Sequence, residues 1–210
     1  QASLAVKKAR LLMATPSPKP EAVSPYPSRY QLEQPTLELL NHANLFCREG
    51  LDIGTRAMLP HLPRSLNPLR VADLGCGNGV LGIVYALANP QAELTLVDES
   101  YMAVQSAAAN WQAALGERPV NIRADDGLAG QPAESLDLVL CNPPFHHQQV
   151  VGDFLAWRMF TQAKAALVRG GELWIVGNRH LGYHAKLKRL FRGVEQVAAT
   201  PKFVILKAIK

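Results

Sequence analysis

The chain has 210 residues, 48% hydrophobic and 19% charged, enough to bury the core of one main domain with a small appendage. Lysine and arginine number 22 against 17 acids, a net charge of +5 that permits a polyanionic partner without requiring one. Cys47, Cys76 and Cys141 lack CxxC spacing, which argues against a disulfide framework and a zinc or other metal site; no apolar run approaches a membrane span, and the first residues lack a secretory layout. A reducing, cytoplasmic compartment is expected, with no membrane partner, and a monomer is favoured.

The sequence opens on Gln1 instead of methionine and is expected to be part of something longer. Residues 1–14 carry apolar periodicity with a basic cluster at Lys7, Lys8 and Arg10, and read as the end of a preceding unit or as a short docked arm. Residues 15–29 are dense in proline and serine and read as a linker. The main domain is expected over 30–210. It begins with a short strand pair over Tyr30 to Asn44 and a helix over Asp52 to Leu62. Between them, residues 44–54 join polar groups, the Phe46 ring and two glycines in an unusual loop. There Arg48 and Asp52 find a role only by pairing with each other or by covering a ligand.

From Leu69 onward short β-like runs alternate with helical ones, the pattern of an α/β fold with a parallel sheet covered on both faces. Strands are expected at Arg70–Leu74, Glu93–Val97, Val120–Ala124, Leu136–Cys141 and Glu172–Val176. Helices are expected at Val80–Ala88, Met102–Leu115, Phe154–Leu167 and Tyr183–Phe191. Only Thr200, Pro201 and Lys202 separate the last two β-like runs, Val194–Ala199 and Phe203–Ala208. Such a gap is too short for a parallel crossover, so the seven-stranded sheet should end in an antiparallel hairpin.

The first strand runs into Asp73-Leu-Gly-Cys-Gly-Asn-Gly79, where Gly75, Gly77 and Gly79 let the backbone turn and approach a ligand before a helix start. Gly77, Gly79 and Gly82 also spell GxGxxG, with Asp98 at the distance of a ribose-binding acid in a dinucleotide fold. Asp73 separates the readings: an acid just before the glycines repels a pyrophosphate and favours a ligand bearing an ammonium or sulfonium cation, such as S-adenosylmethionine. Asp98 emerges at the same sheet edge to accept ribose hydroxyls, or else caps the following helix. Asp125-Asp126-Gly127 either sets a carboxylate near an adenine amino group or forms a plain turn.

Asn142-Pro143-Pro144-Phe145 is unusual for a strand end. Two prolines without N–H groups stop the strand and hold a rigid tip. An exocyclic amine has two hydrogens to donate, and the Asn142 amide oxygen with the Pro143 carbonyl can accept both, aiming the nitrogen lone pair out of the ring plane toward a methyl group. Phe145 can stack on the base or sit in the core. His146 and His147 read as solvated loop residues in preference to bases or phosphate contacts. Lys186, Lys188, Arg189 and Arg192 form a basic stripe that either grips RNA phosphates together with Arg179 and His180 or is a solvated face.

Taken in this order, Asp73-Leu-Gly-Cys-Gly-Asn-Gly79, Asp98 and Asn142-Pro-Pro-Phe-His146 resemble class I, Rossmann-like methyltransferases acting on exocyclic amines. With Asn41 to Gly54, Val97-Asp-Glu-Ser100, Asn178-Arg-His-Leu181 and Lys202-Phe-Val-Ile-Leu-Lys207 included, the chain resembles the catalytic half of the bacterial RlmG/RsmC ribosomal RNA guanine-N2 methyltransferases. The likeness runs from Tyr30 to Lys210 and is nearer the large-subunit branch, which implies 23S over 16S ribosomal RNA as partner. It also implies that residues 1–14 are the remnant of an N-terminal methyltransferase-like domain. By this resemblance Asp73, Gly75 and Gly77 cradle the methionine end of S-adenosylmethionine, Asp98 its ribose and Asp125 or Asp126 its adenine edge, with Phe46 and Arg48 on the methionine side. Asn142, Pro143 and Phe145 hold the guanine, and Asn142 also belongs to the cofactor-binding set. Other amine targets (a 16S guanine, adenine N6, protein glutamine) are the rivals within enzymes. A non-catalytic RNA-binding module and an NAD oxidoreductase stand outside that class.

Overall fold

The computed structural model describes residues 9, 11–14, 23–45, 49–65, 67, 69–144 and 149–210, the side chains of residues 149–153 excepted. An antiparallel hairpin, β1 (Ser28–Leu32) and β2 (Leu37–Asn41), is followed by α1 (Ile53–Met58). β1 thus takes its first two residues from the stretch read as linker. Helix α1 is shorter than expected and passes into a 3-10 turn at Leu59–His61, because Pro60 has no N–H with which to continue the α ladder.

The alternating part follows as β3 (Arg70–Leu74), α2 (Val80–Ala88), β4 (Glu93–Asp98), α3 (Tyr101–Leu115), β5 (Val120–Ala124), β6 (Leu136–Cys141), α4 (Gln149–Ala166), β7 (Leu167–Asn178), α5 (Tyr183–Lys188), β8 (Gly193–Ala199) and β9 (Phe203–Ile209). These build one seven-stranded sheet in the order β5-β4-β3-β6-β7-β9-β8. β3 to β7 are parallel, and the β8–β9 hairpin closes the sheet antiparallel to β7. The strand order reverses at β3, which lies between β4 and β6, and in open α/β sheets the crevice at such a point holds the ligand.

α4, β7 and α5 also depart from expectation, α4 by starting five residues early at Gln149. β7 starts five residues early, at Leu167, and its pairing with β6 shifts register between Leu136 and Leu138. The extra residues are absorbed at Gly170-Gly171, where a Cβ on Gly171 would lie 3.0 Å from the Val168 carbonyl. α5 stops at Lys188, three residues short, since Leu190 and Phe191 both turn back to donate to the Leu187 carbonyl and Phe191 is buried.

The strand period of two splits the core between the faces of the sheet. Val71, Leu96, Leu138 and Leu140 pack against α2, α3, Met58 of α1 and Leu39 of the hairpin. Ala72, Leu74, Val139, Cys141 and Ile175 pack against Met159, Phe160 and Ala163 of α4 and Tyr183 and Leu187 of α5. Phe160 is fully buried and meets Tyr183 edge-on, with ring centroids 5.3 Å apart. Among the described residues no helix is long and apolar enough to cross a membrane. Phe160→Ala should leave a cavity between sheet and α4 that lowers unfolding free energy by about 3–5 kcal/mol, read from the urea midpoint; a loss under about 1 kcal/mol would show that this layer collapses freely.

Candidate functional site

A cavity of about 580 Å³ opens at the carboxyl edge of β3, β4 and β6 and lies within the usual size range of small-molecule sites. Its floor is the glycine loop. The Val97 carbonyl at the end of β4 accepts from both Gly75 N–H and Cys76 N–H at 2.9 Å, which pins the loop to the neighbouring strand. Gly77 (φ +54°) turns with open space where a Cβ would stand, and Gly79 (φ +84°) lets α2 start so close to the sheet that a Cβ would lie 3.1 Å from Leu96 and Ala107.

Asp98 holds this loop from the side. One carboxylate oxygen accepts from Gly77 N–H at 2.9 Å and the other from Ser100 N–H at 2.9 Å. Capping of α3 falls to Ser100, whose hydroxyl accepts from Ala103 N–H, so Asp98 stays at the cavity wall with further lone pairs for a ligand. Asp73 sits differently from the reading that put it on the cofactor. It is buried beneath the loop, does not line the cavity, and accepts from Gly82 N–H at 2.8 Å. Its other oxygen is buried without a hydrogen-bond partner. Burial pushes its carboxyl up to about 7, against the opposing pull of the Gly82 bond and with a smaller push from Asp98.

The adenine-edge pair divides as well. Asp126 lines the cavity and pairs with Arg158, whereas Asp125 is turned onto Arg123 at 3.4 Å and onto the Asp126 N–H at 2.7 Å. Burial raises the Cys76 and Cys141 thiols well above their ordinary range, which suits packing and not nucleophilic chemistry.

Asn142 and Pro143 follow β6 into the same cavity. The Asn142 amide nitrogen donates to Asp52 Oδ2 at 2.8 Å and to Thr55 Oγ1 at 2.9 Å, and its carbonyl oxygen is buried with no partner. Asp52 is the N-cap of α1, accepting from Thr55 N–H at 2.8 Å through that same oxygen. The sequence points to Asp52 as a partner of Arg48 or a cover for a ligand; the structure sets it at the cavity wall with Asn142 as its partner, and Thr55 beside it was not foreseen. Tyr30, Asn78, Met159 and Gln162 also line the cavity and were not singled out. Phe46, Arg48, Phe145, His146 and His147 lie outside the described residues.

A buried amide network joins the hairpin to the loop. Asn78, within the glycine run, donates to Tyr30 Oη at 3.0 Å and Asn41 Oδ1 at 2.9 Å. Asn110 on α3 donates to the carbonyls of Asn78 and Leu40, both at 2.9 Å, and accepts from Leu40 N–H at 2.7 Å. Its side chain stands in for a neighbouring strand of β2. The basic stripe is elsewhere: Arg179 follows β7 and donates to the Thr200 carbonyl, Lys188 is exposed, Lys186 lies over the Tyr183 ring at 5.2 Å and Arg189 over Trp157 at 5.2 Å. None of these four lines the cavity.

The donor set tests which cofactor fits. Asp52, Asp98, Glu99 and Asp126 line the cavity, and the one lining cation among the described residues, Arg158, is already paired with Asp126. A pyrophosphate would meet repulsion there; a cationic ligand carrying a ribose and an adenine would not. The residues fit S-adenosylmethionine.

A family model described as "Methyltransferase small domain" matches residues 36–207. The chain is 83% identical over 210 residues to the "Ribosomal RNA large subunit methyltransferase G" of Stutzerimonas stutzeri (strain A1501), covering 100% of this chain and 56% of that protein. It is 83% identical over 209 residues to the protein of the same name from Pseudomonas aeruginosa (strain UCBPP-PA14), again spanning 56% of it. The chain therefore spans little more than half the length of these relatives. Among solved structures, the T. thermophilus 16S rRNA N2 G1207 methyltransferase (RsmC), in complex with AdoMet and guanosine, matches with a TM-score of 0.73 and 22% identity, over 87% of this chain and 50% of that one. A methyltransferase from Pyrococcus furiosus matches with a TM-score of 0.66 and 14% identity, over 83% of this chain and 89% of that one. At such identities the likeness is one of fold, the class I methyltransferase fold expected from the sequence.

Two outcomes follow from the geometry. Asn110→Leu keeps the volume but leaves Leu40 N–H, Leu40 C=O and Asn78 C=O without partners, so unfolding free energy should fall by about 2–5 kcal/mol in urea titration; a neutral result would mean that water replaces the amide. For Asp73, whose folded carboxyl stands at about 7 against an ordinary 3.8, the unfolded chain releases its proton first as pH rises. The stability this group contributes is therefore full below about pH 4 and lost on the way to about pH 7. Urea midpoints of the parent, compared with Asp73→Asn across that window, should show the parent losing stability relative to the variant as pH rises. Parallel curves would remove the proton from Asp73.

Proposed function

The chain belongs to the methyltransferase small domain family, and from that premise we propose that it methylates the exocyclic N2 of a guanine in ribosomal RNA, 23S in preference to 16S, with S-adenosylmethionine as donor. The carrying observation is the Asn142 carbonyl oxygen, buried, unpartnered and at the wall of the cavity that the glycine loop floors. The large-subunit ribosomal RNA methyltransferase name borne by relatives at 83% identity supports the substrate, and the guanine N2 target rests on the family resemblance of residues 41–54 and 142–146. The catalytic unit spans residues 30–210, extended to Ser28 by β1, and works in the cytoplasm.

When bound, S-adenosylmethionine would supply an electrophilic methyl group, its sulfur keeping the electron pair of the broken S–CH3 bond and leaving as the neutral thioether of S-adenosylhomocysteine. On the protein side, Asp98 offers carboxylate lone pairs to ribose hydroxyls, and Asp126 a carboxylate to an adenine amine. Asn142 Oδ1 and the Pro143 carbonyl accept the two hydrogens of the guanine N2 amine, which leaves its lone pair facing the methyl group. A guanine must leave its stack to reach this position. As the nitrogen forms its bond to carbon it gains positive charge, and the two acceptors stabilise that charge more than they stabilise the neutral amine. The proton then leaves to water, so no strong base is required.

The direct test incubates the protein with undermethylated ribosomal RNA and radiolabelled cofactor and maps the modified base; label on adenine N6 or on protein would overturn the guanine reading. Asn142→Ala should lower kcat by about 100-fold or more while S-adenosylmethionine affinity, by isothermal titration, stays within about threefold. Equal loss of both would assign Asn142 to cofactor binding or to the fold.

A further inference from the structure

We propose that Asp52 and Thr55 are positioning residues for the transfer: they lock the Asn142 amide so that its oxygen, never its nitrogen, faces the acceptor amine. The inference rests on the proposed function and gives Asp52, which the sequence pairs with Arg48 or sets over a ligand, its partner in Asn142.

An asparagine amide is nearly symmetric in shape but opposite in chemistry across its two ends, and a half-turn about its last torsion exchanges an acceptor for two donors. A site that must accept both hydrogens of an amine fails if that turn occurs, because an NH2 group would then confront an NH2 group. Nothing in Asn142 itself prevents the turn. Its surroundings do. Asp52 Oδ2, at 2.8 Å from the amide nitrogen, is a carboxylate oxygen that only accepts; with the amide reversed, two oxygen lone pairs would face each other at that distance. Thr55 Oγ1 at 2.9 Å takes the second hydrogen. Both donors of the amide are thereby consumed, and what remains is the buried Oδ1 with no partner.

The lock is itself held. Asp52 Oδ2 accepts from Thr55 N–H at 2.8 Å and caps α1, and Thr55 is buried. The Asp52 charge also polarises the amide, drawing positive charge to its nitrogen and negative charge to Oδ1. The acceptor is strengthened at the moment the attacking nitrogen becomes positive. A cap alone would not require this residue, because serine caps a helix about as well as aspartate. Asp52→Ser therefore keeps the cap and withdraws the carboxylate from Asn142, while Thr55→Val keeps shape and removes the acceptor.

The test uses both single variants and the double variant. The double variant should lose about 10–100-fold in kcat, the loss typical when the partners that orient a metal-binding side chain are removed, with S-adenosylmethionine affinity within about threefold of the parent and Thr55→Ser losing less than Thr55→Val. In a 15N-labelled sample, the parent's Asn142 side-chain NH2 should exchange slowly with solvent, and the double variant should lose about tenfold or more of that protection. A kcat within about twofold of the parent, a fall in cofactor affinity that tracks kcat, or unchanged amide protection each overturns the proposal. Should the double variant not fold, the two single variants are read by the same criteria. If the parent itself transfers no methyl group to RNA, the proposed function fails, and the amide exchange alone decides whether the lock exists.

Discussion

The parallel pairing of β3 with β6 is the constraint on which the site depends. Its last registered pair is Leu74 with Cys141, so the next residues, Gly75 and Asn142, leave the sheet side by side at one edge. Parallel strands that end together deliver their loops to the same place, and the reversal of strand order at β3 leaves a crevice there because the chain departs to opposite sides. The glycine loop and the Asn142-Pro143 turn, 67 residues apart in the chain, meet in one cavity without any further device. Apolar layers on both faces keep that pairing from shifting, since a one-residue slip would turn Val71 and Asp73 into the layer of Ala72 and Leu74.

Carboxylates act here as backbone holders. Asp73 takes Gly82 N–H, Asp98 takes Gly77 and Ser100 N–H, and Asp52 takes Thr55 N–H. The backbone amides of a glycine loop are the groups that would otherwise bind phosphate. With the Gly77 and Gly82 amides already taken by acid side chains, the loop has less to offer a pyrophosphate and more to offer a ligand with positive charge and hydroxyls. The GxGxxG spelling shared with dinucleotide folds thus carries a different chemistry in this chain, and the reason lies in which acids stand beside the glycines.

The hairpin belongs to the same logic. Isolated two-stranded hairpins are marginal in water, and β1–β2 is held by Leu39 in the core and by the Asn110 amide acting as a strand neighbour. Because Asn78 and Tyr30 share that network, the wall of the cavity and its floor are one connected polar unit, with Asn78 and Asn110 buried and each amide partnered.

Local sequence was enough for the seven strands, the closing antiparallel hairpin and the edge at which chemistry gathers, because strand period, glycine turns and paired prolines act over a few residues. It was not enough to say which of two adjacent acids, Asp125 or Asp126, faces inward, or that Asp73 lies beneath the loop instead of on the ligand. It offered Asp52 only Arg48 or a ligand as partner, since its actual partner Asn142 is 90 residues away. The sequence by itself determined the elements, their order and the residue types available at the carboxyl edge. Only the tertiary structure decided which carboxylates hold backbone, which line the cavity and which way the Asn142 amide points, because those choices are made by hydrogen bonds between groups that local patterning never brings together.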